Sequence, residues 1–531
     1  MCRHAGAHWT VAGGLPVRVP TRPLHHHIES RIAPSVDPAA GGSALRRPTA
    51  SSAWTNLHLE WPTPGGFPSR FATARTCLLF LLAAGASSPV AAQENELIPG
   101  VELGFIFEGV YVPPIAVKPL TVAGADVGLA REIEGIITRD LDYSDRFQVR
   151  DSLPPALGGE GVQYALWEQF GVDWVVTGTI ETDGLGGGIA FSVELHDIVF
   201  GSLKAAATFP LPARDHPDFR LAVHSVSDAL VGWVTGDRGV AATRMLFRMR
   251  AFGEENPNLT EIYVVDFDGE NLRRLTWDRS TVTSPTWSPD GKRVAYSSFK
   301  ADMPRIYELN LEDGQERLLV PEGHGQHDSP SYHPDGNSVA FTIVGPEPEG
   351  LFTYNIRDGC CLKYLGGGRF NDLQPNFSPD GEWLVFVSTR LRFSTPQVYL
   401  RPLAGGDDEL LSPFRYGEGG FFTDPDWSPC GDRVAFAGGI GSRRQANRYH
   451  ILVAKLEAGG NRLLQLTQEG NNEDPSWAPN CRHIVFTGER SYGKGVFIVD
   501  TVTGRTRVLV ANVEAEDTDW SPWLAENGVV R

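Results

Sequence analysis

The sequence has few basic residues and almost no long apolar stretches. Lys and Arg number 47 against 65 Asp and Glu, so the 531-residue chain carries a formal net charge of −18. Because a nucleic-acid partner needs Lys and Arg to neutralise its phosphates, this balance argues against such a partner. No stretch reaches the length of a membrane helix, and the one signal-like apolar segment is too short to span a bilayer. These absences favour a soluble protein without a membrane span.

Serine-hydrolase motifs and long uninterrupted helical patterns are absent too. No Gly-x-Ser-x-Gly occurs, and this motif marks the nucleophile of α/β-type serine hydrolases. The 58 Gly and 38 Pro imply many turns rather than long helices. At this length, the composition favours a β-rich protein of more than one domain.

The chain begins with an unusual extension before an export signal. Residues 70–92 carry two Arg, an apolar run and a small-residue end at Ala91-Ala92, which is the pattern of a secretory signal peptide. Residues 1–69 lack periodic apolar positions, so we interpret them as an over-long gene model or a disordered extension. The signal predicts an exported protein whose mature chain begins at Gln93.

Residues 93–240 alternate between strand and helix patterns. Ile115–Leu120 and 172–180 read as strands, Val127–Asp142 has the spacing of an amphipathic helix, and a further helix is predicted from about Phe219 to Val234. An alternating strand follows at Ile189–His196. The pattern predicts a small α/β domain.

Residues 243–531 contain a repeated unit of an aromatic residue, a turn and a β-branched strand. The first copy is Trp287-Ser288-Pro289-Asp290-Gly291, and the aromatic residue recurs every 43 to 50 residues, which fits a four-stranded propeller blade. The six marker residues are Trp287, Tyr332, Phe377, Trp427, Trp477 and Trp520. The last copy stops after one strand, and Met245–Met249 can supply its missing partner. We therefore predict a mainly β fold, a six-bladed β-propeller closed by its two chain ends and preceded by the α/β domain.

The turn residues have a structural explanation because every copy repeats them, so functional residues are expected where the copies differ. The most variable places are the loops before each marker strand, which open at one face near the central channel. The candidate residues there are Ser284, His324, His327, Asp328, Ser329, Asp372, Gln374, Thr423, Asp424, Glu473, Asp474, Asp517 and Asp519.

This acidic rim is consistent with a partner-docking face, a cation such as calcium held by carboxylates, or a solvated rim. No resident cofactor is expected otherwise. His324, His327 and His333 lack the spacing of metal ligands, so we favour a loop over a metal site.

Four cysteines remain after the signal. Equivalent turns of adjacent repeats usually lie beyond the roughly 7 Å Cα limit for bridging. We therefore expect Cys430 and Cys481 to be free thiols, with a bridge between neighbouring repeats as the alternative. We also expect the adjacent Cys360 and Cys361 to be free.

These features together resemble the TolB family of the Tol-Pal envelope system. The resemblance rests on the repeated strand pairs, on Pro114–Leu120, on the join from His224 to Arg244, and on the terminal Trp520-Ser521-Pro522-Trp523-Leu524. It implies a monomeric, non-enzymatic scaffold that contributes to outer-membrane integrity and cell division.

The resemblance also implies where partners bind. It places a peptidoglycan-associated lipoprotein on the loops before the markers, and TolA on the N-terminal segment, with Glu102, Leu103, Phe105 and Phe107 as candidates. Two alternatives stay open. One is a propeller related to prolyl-oligopeptidase-type peptidases, and the other is a propeller that binds glycans or small molecules, with Phe421 and Phe422 stacking on sugars.

Overall fold

The computed structural model describes residues 102–103 and 111–530 with several short gaps. The gaps are 124–125, 183–187, 252, 254–255, 257, 346–347, 368–369, 392–394, 414–419, 440–447 and 458–459. The extension, the signal peptide, Phe105 and Phe107 lie outside the described residues. No helix within the described ranges is long and apolar enough to cross a membrane.

The first domain is a mixed sheet covered by helices. Its elements are β1 (Glu102–Leu103), β2 (Pro114–Val117), β3 (Thr121–Ala123), α1 (Val127–Tyr143), β4 (Gln148–Val149), a 3-10 turn (Pro155–Gly158), α2 (Tyr164–Phe170), β5 (Trp174–Thr182), β6 (Ile189–Asp197), β7 (Ser202–Leu211) and α3 (Phe219–Thr235). The strand order is β4-β2-β5-β6-β7, with β3 also paired to β5, while β1 pairs elsewhere. Strands β2, β3, β4 and β5 run parallel, and β5, β6 and β7 antiparallel.

Helices α1 and α3 form where the apolar spacing predicts them. The carboxylate of Asp126 accepts the backbone N–H of Gly128 at 3.0 Å and caps the start of α1. The buried face of α1, which includes Ile133 and Ile137, packs into one core with Val226 of α3. Gly236 ends α3 with φ +81°, a conformation that glycine adopts without steric cost.

The remainder of the described chain forms six four-stranded sheets. Their strands are β8 (Arg244–Arg250), β9 (Thr260–Asp266), β10 (Arg273–Arg274); β11 (Val282–Trp287), β12 (Arg293–Ser298), β13 (Arg305–Asn310), β14 (Glu316–Leu318); β15 (Gln326–Tyr332), β16 (Ser338–Val344), β17 (Gly350–Asn355), β18 (Cys360–Gly367); β19 (Asp372–Phe377), β20 (Trp383–Ser388), β21 (Gln397–Pro402), β22 (Glu409–Leu410); β23 (Phe421–Trp427), β24 (Arg433–Gly439), β25 (His450–Lys455), β26 (Arg462–Gln465); β27 (Asn472–Trp477), β28 (His483–Arg490), β29 (Gly493–Asp500), β30 (Thr506–Ala511); and β31 (Ala515–Trp520), followed by the hairpin β32 (Ala525–Glu526) and β33 (Val529–Val530). We number the blades 1 to 6 from β8.

Blade 1 closes the ring with both ends of the propeller chain. Strand β31 is its innermost strand and pairs antiparallel with β8, where Trp520 lies opposite Met245 and Ala515 opposite Met249. The predicted closure is therefore confirmed. It leaves the ring without an open end.

The repeated turn holds together through its own side chains. The Ser288 hydroxyl accepts the N–H of Arg293 at 2.9 Å, and Asp290 accepts the N–H of Lys292 at 3.1 Å. Gly291 adopts φ +71°. Asp335 and Asp380 accept backbone N–H groups in the same way. These contacts agree with a structural role for the motif.

The expectation of free thiols is wrong for both cysteine pairs. Cys430 and Cys481 form a disulfide with a Cα–Cα distance of 6.0 Å. Each lies in the turn after the innermost strand of its blade, where neighbouring blades converge toward the axis and the separation falls within bridging range. Cys360 and Cys361, at the β17–β18 turn, are joined as well.

Candidate functional site

The innermost strand of each blade has the same irregularity beside the channel. In blades 2 to 6 and in β31, the register shifts by a bulge just before the marker residue. One residue in each bulge has φ between 50° and 55°. We call these six the mouth residues: Ser284, Ser329, Gln374, Asp424, Asp474 and Asp517. All six line the channel.

A second set of channel residues lies two positions after the mouth residues. We call them the clamp residues: Thr286, Ser331, Asn376, Asp426, Ser476 and Asp519. Proline separates the two sets in five blades, and Thr518 does so in blade 1. Both sets therefore face the same channel from every blade.

Several clamp side chains bind the marker of the next blade. Asp519 accepts the N–H of Trp287 at 2.6 Å, and Asp426 accepts that of Trp477 at 2.7 Å. In blade 4, Asn376 accepts the N–H of Trp427 at 3.0 Å, and Ser476 of blade 6 accepts that of Trp520 at 3.1 Å. Each such bond ties one blade to its neighbour. The clamp residues thus serve the ring rather than a partner.

The mouth residues make fewer obligatory backbone contacts. The amide of Gln374 in blade 4 donates to Asp424 in the neighbouring blade 5 at 2.6 Å, and the Thr487 hydroxyl donates to Asp474 at 3.0 Å. Asp517 accepts the N–H of Ser284 at 2.9 Å and the Arg248 guanidinium at 2.5 Å. Their remaining polar atoms line the channel.

Negative charge is confined to half of the mouth. Blades 5, 6 and 1 place Asp424, Asp474 and Asp517 there, whereas blades 2 to 4 place Ser, Ser and Gln. Burial raises the pKa of Asp424 to about 6 and, with the charges of Asp424 and Asp517, raises that of Asp474 well above its usual range. Asp424 therefore exchanges its proton near neutral pH.

The clamp carboxyls titrate in the same range. Burial raises the pKa of Asp426 to about 7, against the lowering effect of its hydrogen bonds to Trp477, Ser476 and Asn376. Burial, followed by the charge of Asp426, raises the pKa of Asp519 to about 7.

The other predicted rim residues lie in different surroundings. Asp328 accepts the Thr283 hydroxyl at 2.9 Å and so joins blades 3 and 2, and Thr423 donates to the adjacent Asp424 at 2.9 Å. His324 is exposed in the loop before β15.

His327 is not accessible for direct partner contact, so this part of the prediction is wrong. Its side chain is fully buried and packs on Phe341, with ring centroids 5.2 Å apart. Burial, followed by the charge of Arg305, lowers its pKa to about 4. Side chains two positions apart share a face in a regular strand, but the bulge between Asp328 and Ser331 breaks this alternation, so His327 points into the blade core while Ser329 lines the channel.

Exposed apolar side chains surround the mouth. The innermost strand of each blade begins at this face. The loops that precede the innermost strands, and the loops that join the second strand of a blade to the third, therefore lie around the channel opening. These loops carry Trp277, Met303, Phe370, Phe421 and Tyr492, with Trp277 67% and Tyr492 65% exposed. Phe422 is instead buried against Phe436, which removes it as a sugar-stacking surface.

Sequence reasoning missed most of the clamp residues. In blades 2 to 6 it stopped three or more positions before the marker, whereas Thr286, Ser331, Asn376, Asp426 and Ser476 lie directly before it in the same strands. A signal was present, because a residue-Pro-residue unit precedes the marker in five blades. Its role depends on the neighbouring blade, which the sequence does not place.

The N-terminal strand lies on the outer edge of blade 5. Glu102 and Leu103 of β1 pair in parallel with Leu464 and Gln465 of β26. This backbone pairing extends the blade to five strands.

The channel carboxylates do not form the compact cluster that a tightly chelated ion requires. Within the described ranges, one group of His, Cys, Asp or Glu side chains brings three ligand atoms within 4.8 Å of one another, and it consists of Asp140, His224 and Asp268. These residues lie at the junction of the two domains.

Comparison with known proteins matches both domains to one family. Residues 232–524 match the TolB beta propeller domain, and residues 108–203 match the TolB amino-terminal domain. The Tol-Pal system protein TolB of Albidiferax ferrireducens is 31% identical over 46% of this chain and 53% of its own length. That of Alkalilimnicola ehrlichii is 30% identical over 45% and 53%. The chain spans about half the length of these curated relatives.

A solved structure has the same fold. TolB from Acinetobacter baumannii superposes with a TM-score of 0.65 at 24% identity, covering 78% of this chain and 97% of that one. Because the propeller model alone covers more than half of the 531 residues, the chain belongs to the TolB family.

Proposed function

We propose that this protein is a non-enzymatic periplasmic scaffold of the Tol-Pal system whose channel mouth binds a peptidoglycan-associated lipoprotein. In this role it contributes to outer-membrane integrity and cell division. The observation that carries the proposal is the mouth itself, where six equivalent backbone positions hold unlike side chains. A repeated frame with variable side chains suits recognition better than repeated catalysis.

The surroundings of the mouth suit a protein partner. Trp and Tyr side chains are over-represented at binding hot spots, and Trp277 and Tyr492 are exposed in loops at the same face as the charged opening. Apolar anchors beside a polar centre supply both buried area and orientation.

Binding of the mature chain to the purified lipoprotein from the same organism tests the proposal. We expect Trp277→Ala to weaken binding by roughly tenfold or more, as hot-spot truncations do. Asp474→Asn replaces a mouth carboxyl by an amide, and Asp313→Asn makes the same chemical change in an exposed turn at the opposite edge of blade 2. Binding unaffected by both Trp277→Ala and Asp474→Asn, or an absence of binding by the wild type, would contradict the proposal.

We also propose that the N-terminal segment engages TolA. Its backbone pairing on the edge of β26 is the kind of contact that a strand exchanges with another partner. A mature chain lacking residues 93–110 should lose TolA binding and keep lipoprotein binding. Loss of both would assign the segment a structural role.

Binding of a divalent cation such as calcium in the channel is our second candidate function. It is favoured by the mouth carboxyls of Asp424, Asp474 and Asp517, which lie in three adjacent blades. Since no three of the described channel carboxylates converge within 4.8 Å, water and the Gln374 amide would complete its coordination. Calcium titration should detect one site in wild type and Asp313→Asn, and a weakened one in Asp474→Asn. Equal affinity in all three would place the ion elsewhere.

A further inference from the structure

The junction between the α/β domain and the propeller is built around a buried histidine. His224 of α3 is fully buried, and its Nδ1 lies 2.8 Å from an Asp140 carboxylate oxygen of α1. Its Nε2 points toward Asp268, in the turn after β9, at 4.0 Å. One imidazole therefore lies between carboxylates from both domains.

Other charged groups face this histidine from every neighbouring element. Arg220 of α3 and Arg139 of α1 both bind the second oxygen of Asp268, Arg139 at 3.2 Å. Asp266 at the end of β9 is paired with Arg244 at 2.8 Å. Arg507 of β30 is stacked on Tyr143 and Phe267.

Several buried polar atoms around His224 have no hydrogen-bond partner: Nε2 of His224, Oδ1 of Asp140, Nε of Arg220, and Nε and Nη1 of Arg507. Because the imidazole lies between the carboxylates of Asp140 and Asp268, a positive charge on it or beside it would compensate their negative charges. A metal ion and a proton on the imidazole are the two ways to supply it.

The local charges favour the proton. Asp268 already binds two guanidinium groups, so a divalent ion would add charge beside existing cations. Asp140 contacts Nδ1 of His224, so the nearest pair of atoms left for a metal is Nε2 of His224 and Oδ1 of Asp268, which lie 4.0 Å apart. A structural zinc ion in proteins is bound by four ligands.

We propose that a proton on His224 pins the α/β domain to the propeller, so that losing this proton loosens the junction between the two domains. The imidazolium then balances Asp140 within one domain and attracts Asp268 across the junction. Burial alone would lower the pKa of His224, but Asp140, followed by Asp268, outweighs it and raises the pKa to about 9 from 6.5. Because the folded value is the higher one, the stabilisation is complete below about pH 6.5 and disappears as the pH rises through 9.

Unfolding by guanidinium chloride between pH 6 and pH 10 tests the proposal. Between pH 6 and pH 10, the ratio of the wild-type unfolding constant to that of His224→Gln should increase by on the order of 100-fold. His216→Gln is the matched control, because His216 is half-exposed near the start of the same helix. It should retain the wild-type pH profile.

A second variant covers the case in which His224→Gln does not fold. Asp268→Asn removes the carboxylate on the propeller side, together with its ion pairs to Arg139 and Arg220, and should reduce the same pH dependence. Hydrogen exchange at pH 10, corrected for intrinsic rates, should be faster in α3 and in the turn 266–270 than at pH 7.

Two results would overturn the proposal. One is a pH profile of His224→Gln, or of Asp268→Asn, that matches wild type. The other is that one equivalent of zinc stabilises the wild type against unfolding but does not stabilise His224→Gln. That result would show that the cluster binds a metal ion. Neither result depends on lipoprotein binding.

Discussion

Removing the disulfide between Cys430 and Cys481 should destabilise the propeller in a calculable way. The bridge closes a segment of 51 residues between blades 5 and 6. Cross-linking a loop of that size lowers the entropy of the unfolded chain and so raises the free energy of unfolding by about 4 kcal/mol at 25 °C. For the 388 described residues, an unfolding entropy of about 2.1 cal/mol/K per residue converts this to a fall of about 5 °C in the melting temperature.

The double variant Cys430→Ser/Cys481→Ser tests this value in thermal and guanidinium unfolding. Cys360→Ser/Cys361→Ser is the control, since a bridge between adjacent residues closes almost no loop and should contribute little. Dithiothreitol should lower the melting temperature of the wild type and of the control, but not of the first variant. A loss below about 1 kcal/mol in the first variant would refute the loop-entropy argument.

Two further predictions concern the clamp residues. Asp426→Ala leaves the backbone N–H of Trp477 without its acceptor and should lower the free energy of unfolding by about 1–3 kcal/mol. Asp426→Asn keeps an acceptor and should lower it by less. Equal losses in the two variants would show that this hydrogen bond is not the cause. For Asp519, the folded pKa of about 7 lies above the usual 3.8, so ionisation disfavours the folded state and stability falls as the pH rises from about 4 to 7. Asp519→Asn should remove this part of the pH dependence, as urea unfolding at pH 4 and pH 8 can measure, and an unchanged slope would exclude Asp519 as its source.

Much of the fold was predictable because each blade is a local unit. The aromatic markers and the Pro-Asp-Gly turns repeat at blade length, and the strand around Met245 has the apolar pattern needed to complete the last sheet. Helix α1 followed from spacing alone, because its buried residues recur every three to four positions, whereas α3 is buried on nearly all sides between Leu221 and Asp228.

The candidate site was only partly predictable. The mouth residues were found because they differ between copies, yet His327 was included with them although it is buried. Adjacent strand residues point to opposite faces, and a bulge changes which of them reach the channel. The sequence shows the residues but not the bulge.

The sequence by itself determined the number of blades, the closure of the ring and the acidity of the channel end, since these follow from repeats and composition. The tertiary structure decided which residues meet across blades and domains. Cys430 reaches Cys481, and Asp519 reaches Trp287, only because the inner strands converge on one axis. His224 meets Asp268 only because α3 packs against blade 1. Such pairs are distant in the chain, and no local pattern records the geometry that joins them.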